Sequence, residues 1–257
     1  MDGTSNFYGV HSVTLYVDSV QVFNSTTDKV LPDENRMING FTDYEELTRT
    51  RRLIMRSYKL PGNRLRLLHP NENRGAVTID EERDYHFRYV LEDNFGNRRT
   101  YQFIVKGKRQ DIPEYKPEAN EMLYWNRTNV IQKPGMELVV PRYYVYEDVP
   151  LRTDMRGDSS HIAFDYILDA GRTPIHSYCD LSIGLRHMPV ADTTKYYIVQ
   201  KAGKWRSSMG GKYANGWIKT RVRSLGTFSV DVDTNCPRKS LLSVRADGAP
   251  AEISVSG

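Results

Sequence analysis

The stretch GVHSVTLYVDSVQVFNS, residues 9–25, sorts its side chains into two alternating sets. Val10, Ser12, Thr14 and Tyr16 fall on one side and His11, Val13, Leu15 and Val17 on the other, the period of two that arises when successive Cβ atoms point to opposite faces of a sheet. Asp18 and Ser19 supply turn chemistry before the next apolar run, so the segment predicts a β-hairpin. A second hairpin is predicted by GAVTID (75–80) followed by DYHFRYVLEDNFGNRRTYQFIVKG (84–107), in which Asn94-Phe95-Gly96-Asn97 joins two alternating runs. Between the hairpins the period changes. Tyr44, Leu47, Ile54 and Tyr58 recur at helical spacing, and Thr42 with Glu45 has the form of a capping box, which predicts one inserted helix near residues 42–58. Its Arg49, Arg51, Arg52 and Arg56 are read as a solvated face toward the helix C-terminus.

Beyond Val105 the segment GKRQDIPEYKPEAN is rich in charge and proline and reads as a linker. The runs NVIQ, MELVVP, HIAFDYIL, YCDLSIGL, TKYYIVQKAGKW, GWIKTRVRS and GTFSVDVD then follow at short, regular intervals. Seven candidate strands in about 110 residues predict a sandwich. The chain therefore reads as all-β, with tandem immunoglobulin-like β-sandwich domains at 1–107 and 121–234, a linker at 108–120, and a tail or the start of a third module at 235–257. Ile112, Tyr115, Met122, Leu123, Tyr124 and Trp125 form an apolar cluster near the linker that is expected to pack between the domains.

Composition narrows the function classes. With 17 Tyr and 12 Pro in 257 residues, strands broken by turns are favoured over long helices. The formal charge is only +4, and acids and bases are interleaved, so no nucleic-acid footprint stands out. Neither a signal peptide nor a transmembrane run is legible in the sequence. Cys179 and Cys236 match no zinc or redox spacing, and whether they pair is left open.

The segments NFYGVHSVTLYVDSVQVF, DENRMINGFTDYEE, NRGAVTIDEERDYHFRYVLEDNFGN, MELVVPRYYVYEDVPL and NGWIKTRVRSLGTFSVDVDT carry a resemblance. Together they are similar to the non-catalytic β-sandwich region downstream of the catalytic domain in secreted lysostaphin-type (LytM-like) zinc endopeptidases of Gram-negative bacteria. The resemblance implies an accessory region that spaces or docks a cell-wall peptidase. It also implies an upstream peptidase domain holding the zinc, peptidoglycan or a cell-surface glycan as a further partner, and a secreted, periplasmic or cell-surface location. An independent adhesion module for a glycan or another surface molecule is the alternative, and an unrecognised hydrolase a third.

His161 and Asp165 in SSHIAFDYILDAG have the His-x-x-x-Asp spacing with which such zinc sites begin. A later His-x-His is missing, since no two of His11, His69, His86, His161, His176 and His187 are two apart. Four residues along a strand also span about 13 Å at roughly 3.3 Å per residue, too far for one zinc ion. His161 and Asp165 are accordingly read as one face of a strand, with Ile162 and Phe164 toward the core. No catalytic or metal-ligating residue is assigned. The remaining candidates are aromatic: Trp205, Tyr213, Trp217 and Tyr144 could offer faces to sugar rings, although the same residue types also fill the ends of sandwich cores.

Overall fold

The computed structural model describes residues 10–114, 117–158, 160–234, 238–241 and 253–256. The chain is all-β, with 43% of the described residues in strands and 7% in helices. In the first unit β1 (Ser12–Val17) and β2 (Val20–Thr26) form the opening hairpin. Asp18 and Ser19 turn it with φ of 49° and 71°, the left-handed pair of a two-residue hairpin loop. Asp18 is fixed there because its carboxylate accepts from the His86 backbone N–H at 2.9 Å and from Arg83 at 2.6 Å. With β3 (Leu68–Pro70), β4 (Asp84–Glu92) and β5 (Arg98–Lys106) these strands make one antiparallel sheet of order β3-β2-β1-β4-β5. GAVTID adds no strand, and Val77 within it packs on the core from an irregular segment.

Leu15 and Val17 point to the covered face, as the alternation predicts. What covers them is an irregular layer in which Met37 of a 3-10 helix (Asn35–Gly40), Leu60 and Leu65 are the buried side chains, while α1 (Tyr44–Thr50) lies in the same segment and buries none of its own. The helix is shorter than its periodicity suggests. Arg51 takes φ 65° and ends it, leaving Leu53, Ile54 and Tyr58 exposed beyond. The cap is also one residue later than expected: Asp43, not Thr42, accepts from the Glu46 N–H at 3.0 Å, while the buried Thr42 hydroxyl donates to the Asn39 carbonyl. Asp43→Ala is therefore expected to cost the first unit about 1 kcal/mol, the usual worth of an N-cap. Chemical denaturation checks this, and an unchanged midpoint would show that α1 needs no cap.

The second unit contains β6 (Glu121–Leu123), β7 (Asn129–Lys133), β8 (Met136–Val140), β9 (Val149–Arg156), β10 (Asp165–Asp169) and β11 (Cys179–Gly184). It continues with β12 (Tyr196–Ala202), β13 (Trp205–Ser208), β14 (Lys212–Ala214), β15 (Trp217–Val222) and β16 (Gly226–Val232). They form two sheets, β13-β12-β16-β10-β9-β6 and β14-β15-β11-β8-β7. Leu151, Tyr166, Leu168, Ile198 and Phe228 of the first sheet meet Leu138, Leu181, Ile183 and Ile218 of the second in one core. At roughly 1.5–3 kcal/mol for each large apolar side chain taken from water, this layer dominates the unit's stability. Downstream, β17 (Arg238–Leu241) pairs antiparallel with β18 (Ile253–Ser256).

The units meet through the loop between β8 and β9. Val145 is buried in the second core, while the next residue, Tyr146, is buried among Met37, Leu60 and Leu65 of the first. Gly62 N–H donates to the Tyr146 carbonyl at 2.7 Å, and the Tyr146 hydroxyl donates to the Arg36 carbonyl at 2.8 Å. Two glycines shape this socket: a Cβ on Gly40 would stand 2.7 Å from the Tyr146 ring, and one on Gly62 would stand 2.9 Å from the Val145 carbonyl oxygen. The apolar residues near the linker do not form the contact. Ile112 is 79% exposed, Met122 is exposed on the edge strand β6, and Leu123 and Trp125 pack on the second core, because β6 joins the six-stranded sheet. Tyr115 lies outside the described residues.

Candidate functional site

The outer face of β15 is set by simple alternation. Ile218 and Val222 enter the core, so Trp217, Lys219 and Arg221 turn outward. Register brings each opposite an outward residue of β11: Trp217 faces Gly184, Lys219 faces Ser182, and Arg221 faces Asp180. One strand further, Glu137 and Val139 of β8 lie beside Ser182 and Asp180. The result is a ladder of mixed charge with a half-buried indole at one end. Gly184 brings no side chain to that end, where a Cβ would sit in ordinary contact with Trp217 Cδ2 at 3.7 Å. Glu137, Ser182, Asn215, Trp217 and Lys219 line a depression of about 340 Å³. Asn215 and Gly216, at φ 50° and 83°, form the hairpin turn that delivers Trp217 to this place.

The four aromatic candidates do not form one platform. Tyr213, on β14, shares the hairpin with Trp217 and pairs with Ile218. Trp205 begins β13 at the edge of the opposite sheet and is 81% exposed. Between them Gly210 and Gly211, at φ 65° and 152°, carry the chain from one sheet to the other. Tyr144 belongs to the inter-unit loop, with its ring edge-on to His176 at 6.1 Å between centroids. Sequence reading missed Glu137, Ser182 and Lys219, although the outward phase of their strands was the available signal.

His161 and Asp165 are held apart by other partners. His161 lies in the turn before β10 and its Nδ1 is 2.9 Å from Asp158, while Asp165 opens the strand and accepts from Lys201 at 2.6 Å. The expectation of one shared strand face is thus corrected: the turn extends to Ala163, which is the buried residue, and Ile162 and Phe164 are only partly buried. The Ser160 hydroxyl, foremost, with the Ser160 N–H and His161, holds the Asp158 carboxyl well below the usual carboxylate range. His176 is engaged at the junction, 3.1 Å from the Tyr146 hydroxyl, and burial together with Arg64 and Arg36 lowers its pKa. Cys179 is buried, and burial pushes its thiol up to about 12, which leaves no thiolate for nucleophilic chemistry. Cys236 lies outside the described residues. Among the described residues no three His, Cys, Asp or Glu side chains come together as metal ligands, and no helix is long and apolar enough to cross a membrane.

Residues 120–233 match the family model of the Zu5-like domain. No curated protein and no solved structure matches the chain. The family description names a type of domain and no peptidase.

Proposed function

We propose that this chain is a non-catalytic docking region, the accessory part of a cell-wall zinc metallopeptidase, whose second unit holds the assembly to a glycan surface. The observation that carries the reading is Trp217, an indole fixed beside bare Gly184 and ringed by Glu137, Ser182, Asn215 and Lys219. Sugar rings are recognised by this combination, an aromatic face for their C–H surface with donors and acceptors for their hydroxyls. The peptidase setting, with its secreted or periplasmic location, comes from the sequence resemblance. On this reading the zinc belongs to the peptidase domain, because here His161 and Asp165 have separate partners.

The purified chain is expected to sediment with isolated peptidoglycan sacculi without lowering their turbidity. Trp217→Ala should weaken that binding about tenfold or more, in line with the loss of one buried aromatic contact. Absence of sedimentation, or equal binding by the variant, would overturn the docking role of this face. Falling turbidity would identify a hydrolase instead.

A further inference from the structure

The first unit leaves one edge of its sheet open. Among the described residues β5 pairs only with β4, and its first seven residues, Arg98–Ile104, are exposed, so nine residues of strand backbone, about 30 Å at roughly 3.3 Å each, present an edge that no other described strand takes. The covered face of the sheet is unfinished at the same place. Its rows run Leu15–Tyr89–Tyr101 and Val17–Phe87–Phe103 across β1, β4 and β5. The irregular layer reaches Tyr89, where Ser57 Oγ lies 2.8 Å from the tyrosine hydroxyl. One strand further out, Tyr101 is 53% and Phe103 47% exposed, although Phe103 stacks on Phe87 at 5.2 Å. A long apolar edge of this kind is a template for another strand.

Charge decides which strand fits. β5 carries Arg98 and Arg99 at one end, Lys106 at the other and no acid between; Arg98 is ion-paired with Glu92 of β4 at 2.8 Å, so Arg99 and Lys106 are the end charges offered to a new strand. Pairing with a second copy about Gln102, which would match Tyr101 with Phe103, sets Arg98 against Lys106, and like charges directly opposite destabilise a sheet. We infer that β5 is completed by an extended segment of a partner protein, apolar at alternate central positions and acidic at both ends, added as a sixth strand. Main-chain hydrogen bonds would supply affinity, and the cover over Tyr101 and Phe103 with the acidic ends would supply selectivity. This goes beyond the glycan reading and involves the other unit.

The test uses the full chain and a fluorescent nine-residue peptide of alternating valine and threonine with two aspartates at each end, beside the same peptide ended by lysines. Fluorescence anisotropy is expected to show binding of the acidic peptide only, with slowed amide exchange along β5. Phe103→Ser should weaken binding about tenfold. The surface pair Arg99→Glu with Lys106→Glu, which leaves the apolar stripe intact, should reverse the preference to the lysine peptide. Binding of neither peptide, or binding unmoved by the charge reversal, would overturn the inference. So would a dimer in sedimentation that Phe103→Ser dissolves, since a second copy would then own the edge. Exchange protection that exists without peptide and disappears on deleting residues 1–9 or 235–257 would assign the edge to this chain's own ends and equally overturn it. Sacculus binding is unaffected by any of these changes, so the two readings fail separately.

Discussion

Replacing Tyr146 by alanine is expected to remove about 3–5 kcal/mol, the cost of deleting a large buried ring, from a unit to which the residue does not belong by sequence. Tyr146 is 3% exposed and sits among Met37, Leu60 and Leu65, so truncation opens a cavity in the first core. It also removes the donor to the Arg36 carbonyl and the partner of His176. Burial already pushes the phenol's pKa up, so the hydroxyl is a neutral donor across the whole working pH range. Tyr146→Phe separates the two losses: the ring stays, and about 0.5–1.5 kcal/mol is expected from the lost hydrogen bond to the Arg36 carbonyl. Calorimetry of the intact chain checks both. The alanine variant should show the first unit melting well before the second. A loss below about 1 kcal/mol would show that the socket closes without the ring.

Phe228→Ala is expected to have an effect of similar size, about 3–5 kcal/mol, with a different signature. Phe228 is fully buried on β16, opposite Tyr166 on β10 and Gln200 on β12, at the centre of the six-stranded sheet. Its loss weakens the second unit, which holds the loop that presents Tyr146. Unfolding of the second unit should therefore draw the first with it, and exchange of the β1 amides should accelerate in step with that of β16. Fast exchange in β16 with β1 unchanged would show that the first unit stands without its neighbour.

How much of this was legible follows from where periodicity survives. The Asp18-Ser19 hairpin and the β4–β5 hairpin were readable because alternation and turn chemistry agreed over whole strands. The strand β9 was not, since Pro150 near its start and the charged run Arg152, Asp154 and Arg156 obscure an alternation that nevertheless buries Val149, Leu151 and Thr153. The helix was over-extended because Ile54 and Tyr58 keep helical spacing after Arg51 has turned the backbone; no glycine marked that stop. Among the site candidates, sequence could nominate Trp217 by type but could not separate it from Trp205, because the crossing at Gly210-Gly211 that sends them to different sheets depends on tertiary packing. Tyr146 could be nominated by type together with Tyr143 and Tyr144, but nothing set it apart as the residue that joins the units. A single loop tyrosine has no period, and its partners Arg36, Gly40 and Gly62 lie about a hundred residues upstream.

Mechanically, the two units are joined by a rivet and a tether in parallel. A pull that separates them loads the Tyr146 ring and the Gly62–Tyr146 hydrogen bond, short-ranged contacts that yield within a few ångströms. Once they yield, the covalent segment 107–120 takes the load and can pay out to roughly 45–50 Å when fully extended. Because Val145 remains anchored in the second core next to the released ring, the loop is not torn out with it. The second unit therefore stays whole when the joint fails, and the first, having given up a ring from its core, is the one that opens under force.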